Sequence, residues 1–440
     1  MKKLLPGHYI KVNTNDIASL TISKYYDIPF DGIYSNKTEK ELIDELDQLL
    51  EKAVERQLLS DVPVGYFLSG GVDSSLIVAY GRKLNPNQEI NCFTIDSEEI
   101  ASSEGFSSDL KYAKIVADHL QVKLNIVKAD IEIVRDFDKM IYHLDEPQAD
   151  AAPLNVLNIC REARNMGYKV LLGGTAGDDL FSGYRRHMTL KFERYYRFIP
   201  RWLGKLLKKG ASKLNANVTV NRRIKKALEN IDKTILQRMV GYFSWIPWEI
   251  NRSLFNKKAQ AEIGTFRPER YLLDLLNRIP NEHSNLNKML YWEMKTFLVD
   301  HNLNYTDKLS MATGVETRVP FLDVELVKFS TKIPPSLKLK GKTAKYLLKK
   351  VAERYLPHEV IYRSKAGFGA PVRKWITEDM DEMIQNRLSR ENINRIGIFN
   401  ADSIHELIDK NKKGKIDASY TIWSLLAIDS WHSQFIAAKK

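Results

Sequence analysis

Four short apolar runs, each bordered by a segment of helical periodicity, constrain this chain more than any other feature. "VGYFL" precedes a helix expected from about Ser74 to Leu84, and "EINCFTI" one from Asp109 to Leu120. "KLNIVKA" leads into a helix near Val134–His143, and a helix from about Ala152 to Met166 runs into "YKVLLGG". Such alternation predicts an α/β fold, a doubly wound parallel sheet with helices on both faces. In sheets of this kind ligands bind past the carboxyl ends of the strands. Two Gly-rich loops, "LSGGVDSS" and "LLGGTAGDD", fall at those ends, which places them at one site.

The rest of the chain reads differently. Residues 1–36 mix strand-like runs ("HYIKV", "ASLTI") with turn residues and are too few for a core of their own. From Glu39 to Leu59 the apolar residues Leu42, Leu46, Leu49, Ala53 and Leu58 recur at helical spacing. From about His187 onward strand signals fade and a mostly helical C-terminal half is expected. No internal repeat stands out.

Net charge is +12, and ten of those charges lie in residues 191–230, where twelve Lys/Arg face two acids. A nucleic-acid binder would spread such charge or interleave it with stacking aromatics, so nucleic acid is not the expected partner. The segment reads first as a solvated helical insert. "FIPRWLGKLLKKG" within it has the makings of an amphipathic helix at a membrane surface or a partner. No apolar run reaches the ~20 residues of a membrane span. The opening "MKKLLPGHYIKV" lacks the apolar core of a signal peptide. Cys92 and Cys160 sit in apolar contexts, as buried free thiols of a reducing compartment do, and a cytoplasmic protein is expected.

The first loop holds glycines and serines but no lysine. Gly70 and Gly71 allow a sharp turn and close approach to a ligand, and the following helix start is an anion site. It is not a Walker A loop. The GKT ending "SLKLKGKT" (336–343) fails too, since its first position is Ser336 and "IPP" precedes it. Asp73 either caps the helix or carries a divalent metal to phosphate oxygens. Mg²⁺ takes one or two carboxylates plus substrate phosphates. Asp178, in the second acidic loop, supplies the other carboxylate and favours the metal reading.

"SGGVDSS" resembles the PP-loop of the N-type ATP pyrophosphatases. "DEPQADAAPL", "VLLGGTAGDDLFSGYRRH", "DKLSMATGVETRVPFLD" and "YRSKAGFGAPVRKW" follow, in order, the landmarks of the synthetase domain of the glutamine-hydrolysing asparagine synthetase family, over roughly residues 37–440. The resemblance implies an adenine-nucleotide hydrolase-like fold. It also implies a reaction in which a carboxylate, aspartate first of all, attacks ATP to give an acyl-adenylate that ammonia converts to an amide, leaving AMP and pyrophosphate. Carried over by position, Ser69, Gly70, Gly71, Ser74 and Ser75 would hold pyrophosphate. Leu68 and Ile95 would hold the adenine, with Gly173 and Gly174 lining the nucleotide. Asp73 and Asp178 would carry Mg²⁺, with Asp178 also counted in the catalytic set. Lys365, flanked by Gly367 and Gly369, would compensate charge as the adenylate forms and breaks.

On this reading residues 1–36 resemble the tail of a glutaminase domain and its linker. Residues 37–190 are the ATP-binding core, 191–290 a basic helical insert, and 291–440 a helical part completing the site. Residue 2 is Lys2, where the glutamine-using relatives have a nucleophilic cysteine, so free ammonia, or ammonia from a separate glutaminase subunit, is the expected nitrogen source. Thr175 stands where the family has Glu or Asp, and Ala176 and Asp179 replace the more usual Gly and Glu. Threonine cannot serve as a carboxylate base, which opens the acceptor to other carboxylates such as a sugar acid. A tRNA-modifying enzyme and a non-catalytic nucleotide-binding subunit are the readings of other classes. The sequence does not select between monomer and homo-oligomer.

Overall fold

A computed structural model describes residues 3–96, 109–128, 131–196, 198–215, 218–363 and 371–437. At the start, β1 (His8–Asn13) and β2 (Asp16–Lys24) pair as an antiparallel hairpin. Thr38 then begins α1 (Glu39–Leu58) through a capping box. Its N–H donates to Glu41 Oε2 at 2.7 Å, and the Glu41 N–H donates to Thr38 Oγ1 at 3.3 Å. Leu42, Leu46, Leu50, Ala53 and Val54 form the buried face, while Leu49 and Leu58 pack at its margin.

The sheet region runs β3 (Val64–Phe67), α2 (Val72–Leu84), β4 (Asn91–Asp96), α3 (Asp109–Leu120), β5 (Lys123–Lys128), α4 (Phe137–Leu144), α5 (Ala152–Asn165), β6 (Val170–Leu172) and α6 (Gly177–Phe181). The helix expected near Val134 starts later, because a 3₁₀ turn, Ile131–Asp136, precedes α4. Beyond it lie α7 (Arg201–Ser212), α8 (Thr219–Leu228), α9 (Asn285–Lys295), α10 (Asn304–Met311), β7 (Glu316–Arg318), α11 (Tyr346–Ala352) and α12 (Ser419–Phe435), among shorter helices.

Strand order is β5-β4-β3-β6-β7, parallel throughout. The fifth strand corrects the expectation that strands end before His187. β7 is three polar residues, Glu316, Thr317 and Arg318, paired with Val170, Leu171 and Leu172 of β6. At three residues, none of them fully buried, it is too short and too polar to carry an apolar signature.

Successive side chains of the inner strands enter opposite cores. Tyr66, Cys92 and Leu172 join the core shared with α1, α2 and α11, while Phe93, Ile95 and Leu171 join the one shared with α4, α5 and α12. From β3 the chain winds outward through β4 and β5, then returns to β6 on the other side. The order therefore reverses between β3 and β6, and the crevice beyond their carboxyl ends is the switch point where open α/β sheets bind ligands.

Candidate active site

The loop after β3 enters that crevice first. Leu68, fully buried, fixes its start by donating its N–H to Phe93 O at 2.9 Å. Gly70 takes φ +68°, and a Cβ there would stand 2.5 Å from Ala113 N, so only glycine fits the turn. Ser69 and Ser74 brace the loop, with their hydroxyls 3.0 Å apart and the Ser69 N–H donating to Ser74 Oγ at 3.2 Å. Ser75 is fully buried and its hydroxyl has no hydrogen-bond partner among the described residues. Gly71 is the N-cap of α2 and no side chain caps that helix end. Asp73 is thus not a cap, and the first-turn amides keep their anion-binding character.

The loop after β6 lies directly against it. A Cβ on Gly174 would meet Ser74 N at 2.6 Å, and one on Gly177 would meet Asp73 Oδ1 at 2.5 Å. Gly173 donates its N–H to Arg318 O at 2.9 Å, so the edge strand β7 holds this loop in place. Ala176 takes φ +74°, a left-handed conformation that costs a non-glycine residue on the order of 1 kcal/mol. Ile95, near the end of β4, is buried beside Leu68's strand.

Asp73 and Asp178 converge on one cation. Lys345 Nζ donates to Asp73 Oδ2 and lies 2.5 Å from Asp178 Oδ1. The lysine is almost wholly buried and takes φ +54° at the N-cap of α11. Burial alone would depress its ammonium, but Asp178 and Asp73 outweigh it and raise the pKa above the ordinary lysine value. A Cβ at Gly183 would overlap both the Asp178 carboxylate and the Lys345 side chain, so the cluster is tightly enclosed.

Sequence reasoning missed Lys345. It lies just past the rejected GKT segment, and the only signal was indirect, since two carboxylates brought to one crevice need a counter-charge. The segment containing Lys365 (364–370) lies outside the described residues. Its neighbour Arg363 is described, and its Nη2 lies 3.8 Å from where a Gly71 Cβ would stand. The Arg363 guanidinium also donates to Asp109 Oδ1 at 2.8 Å.

Behind Asp178 lies a second polar network, fully buried at Asp179 and partly exposed at His301 and Asp150, whose members no local sequence pattern relates. Asp179 is fully buried, and burial, with the nearby Glu293 and Asp178 charges, pushes its carboxyl well above the usual range. Tyr184 donates its hydroxyl to Asp179 Oδ2 at 3.1 Å and accepts from Asn302 Nδ2 at 3.1 Å. Asn302 Oδ1 is 3.0 Å from His301 Nδ1, and His301 Nε2 is 3.3 Å from Asp150 Oδ2. Burial opposes the His301 imidazolium, yet the Asp150 hydrogen bond and charge prevail and raise its pKa. Glu293, also fully buried, is held by His187 Nε2 at 2.6 Å and by Arg186. Thr175 is half-buried in the loop after β6.

The carboxylate pair fits a hard divalent cation that completes its shell with phosphate oxygens and water. Among the described residues no group of three or more His, Cys, Asp or Glu could hold a metal by itself. The fit is therefore to a shared protein–substrate site.

Comparison with known proteins shows the family. A family model described as asparagine synthase matches residues 45–433. The chain is 30% identical to asparagine synthetase [glutamine-hydrolyzing] 1 of Bacillus subtilis, over 98% of this chain and 65% of that protein. It is 28% identical to a putative asparagine synthetase [glutamine-hydrolyzing] of Mycobacterium tuberculosis, over 99% of this chain and 64% of the relative. Amidase chyE of Penicillium rubens is 25% identical over 93% of this chain and 64% of its own length. The chain thus spans just under two thirds of these relatives.

Proposed function

Since this chain belongs to the asparagine synthase family, we propose that it is an ATP-dependent, AMP-forming amide ligase with aspartate as its acceptor. The observation that carries the reading is the convergence of Asp73 and Asp178, from two loops at the switch point of the sheet, on a single buried cation. Such a pair, opposite an uncapped helix start, suits a triphosphate and not a bare carboxylate or a sugar alone.

In the proposed reaction an acceptor carboxylate oxygen forms a bond to the α-phosphorus as the bond to the β-phosphate bridging oxygen breaks. Ammonia then bonds to the acyl carbon, AMP leaves with the former carboxylate oxygen, and a proton is lost from nitrogen. The Gly70–Gly71 turn, the Ser69, Ser74 and Ser75 hydroxyls and the first amides of α2 receive the departing pyrophosphate. Leu68 and Ile95 form the adenine wall, and Gly173 and Gly174 leave room for the nucleotide. Asp73 and Asp178 would hold Mg²⁺, which when bound neutralises phosphate charge. Lys345 orients both carboxylates, and Lys365 is assigned to charge compensation at the reacting phosphate. Positioning and fixed charge supply most of the catalysis in this scheme.

Neither cysteine suits a glutaminase nucleophile. Both are buried, and burial pushes the Cys92 thiol up and Cys160 to about 12. The chain alone is expected to use ammonium, with glutamine hydrolysis belonging to a separate subunit or segment. Thr175 supports a second reading in which the acceptor is another carboxylate, such as a sugar acid, because this loop position offers a hydroxyl and no base.

The test is pyrophosphate release by the purified chain with ATP and Mg²⁺, offering aspartate, uronic acids or transfer RNA, each with ammonium or glutamine. Release that requires aspartate and ammonium supports the proposal. Release with a uronic acid alone selects the second reading, and release with RNA alone overturns both.

A further inference from the structure

The basic segment has a surface that the ligase reaction does not use. Inside it α7 and α8 pack against each other, and α7 turns its small residues inward. Gly204 and Ala211 are buried, and a Cβ on Gly204 would already lie 3.3 Å from Ile231 Cγ2. The large apolar side chains face the other way. Phe198, just before the helix, is 80% exposed, Trp202 65% and Leu206 58%. Trp202 and Leu206, four residues apart, share one side of α7, and Phe198 lies in the turn that leads into it.

Lys205, Lys209 and Lys213 are exposed on that same side of α7, since at 3.6 residues per turn they fall within about 60° of Trp202. On α8 the exposed set repeats the mixture, with Val220 and Ile224 beside Arg223.

An ordinary solvated helix buries its large apolar residues and exposes its small or polar ones. Here the order is inverted, and the inverted face carries dense positive charge. We propose that this face is a docking surface for an anionic phospholipid bilayer. Trp prefers the interface between headgroups and acyl chains, and Phe and Leu form the buried face of helices that lie in it. Lysine stems reach from an apolar surface to keep their ammonium groups among headgroup phosphates. No helix among the described residues is long and apolar enough to cross a membrane, so the helix lies on the bilayer and does not enter it as a span. RNA would be gripped through its phosphates with aromatics spaced for base stacking. The aliphatic Leu206, Val220 and Ile224 have no such role.

The experiment is co-sedimentation of the full chain with vesicles of phosphatidylcholine alone or of equal parts phosphatidylcholine and phosphatidylglycerol. Binding is expected only to the phosphatidylglycerol vesicles, and it should weaken as salt is added. The double change Trp202→Ser with Leu206→Ser is expected to weaken binding roughly tenfold or more. Replacing Lys205, Lys209 and Lys213 with Gln should cost about fivefold per lysine. Both variants should release pyrophosphate as the parent does, which shows that they are folded. Equal binding to neutral vesicles, no binding to either vesicle, or unchanged binding by both variants would overturn the proposal. So would single-stranded RNA bound more tightly than the anionic vesicles, or a parent oligomer that the Trp202 and Leu206 changes dissociate.

Discussion

Lys345 Nζ lies 2.5 Å from Asp178 Oδ1 while donating to Asp73, so one ammonium compensates two carboxylates from different loops. Lys345→Met would leave like charges facing each other in an enclosed crevice. The variant is expected to lose about 3–5 kcal/mol of stability, as broken buried ion pairs do. Mg²⁺ should restore part of that loss, raising the melting temperature of the variant more than that of the parent. Equal Mg²⁺ effects on the two proteins would count against a metal between Asp73 and Asp178.

Asp73→Asn keeps the shape of the side chain and removes its charge. Under the proposed reaction it should abolish pyrophosphate release while leaving the fold intact by circular dichroism. An active Asp73→Asn enzyme would detach this loop from the chemistry.

Contact between the two loops leaves no space for one methyl group. Gly174→Ala puts a Cβ 2.6 Å from Ser74 N, closer than real Cβ contacts come. The two loops must separate slightly, and a misplacement on the order of 1 Å costs about a hundredfold in rate. Pyrophosphate release should fall by that factor with only a small shift in melting temperature. A fall explained entirely by unfolding would show that the contact is structural.

Glu293 gives the acid limb of stability a named contributor. Burial would raise its carboxyl, but His187 and Arg186 outweigh this and hold it below the ordinary value. A carboxyl depressed in the folded state contributes stability above its unfolded pKa, and that contribution is lost as pH falls through the folded one. Denaturant titrations of the parent should lose stability below about pH 4.5. Glu293→Gln should be less stable at neutral pH and lose less on acidification. An identical acid slope in both proteins would exclude Glu293 as the source.

Lys338 gives the alkaline side a contributor of its own. It is fully buried over the Phe30 ring, its Nζ bonds Asn287 Oδ1 at 3.0 Å, and burial, only partly offset by Glu282, lowers it to about 7. Between pH 7 and the unfolded value the unfolded chain binds the extra proton, so the parent gains stability as pH rises. Relative to Lys338→Met it should gain about 2 kcal/mol between pH 7 and pH 9. A difference that stays flat over that range would refute the lowered value.

What the sequence disclosed follows a physical division. Strands β3, β4 and β6 announce themselves because they lie inside the sheet and apolar residues run together, as in Cys92–Ile95. Asp73 and Asp178 were legible as partners because glycine-rich turns at parallel strand ends must share a crevice. β7 was hidden because an edge strand of Glu, Thr and Arg owes its conformation to β6. Lys345 and the Asp179–Tyr184–Asn302–His301–Asp150 network were hidden for another reason. Their members come from segments far apart in the chain, and no local period relates them.

The order in which the site's parts leave the ribosome matters too. Asp73 emerges first and Asp178 much later, and their strands β3 and β6 are hydrogen-bonded neighbours. Docking them brings two negative charges together long before Lys345 has been synthesised. Closure of the crevice onto Lys345 therefore waits for the last third of the chain. A nascent chain arrested before Lys345 should hold its crevice open and be cut there by protease, and completion of the chain should close it.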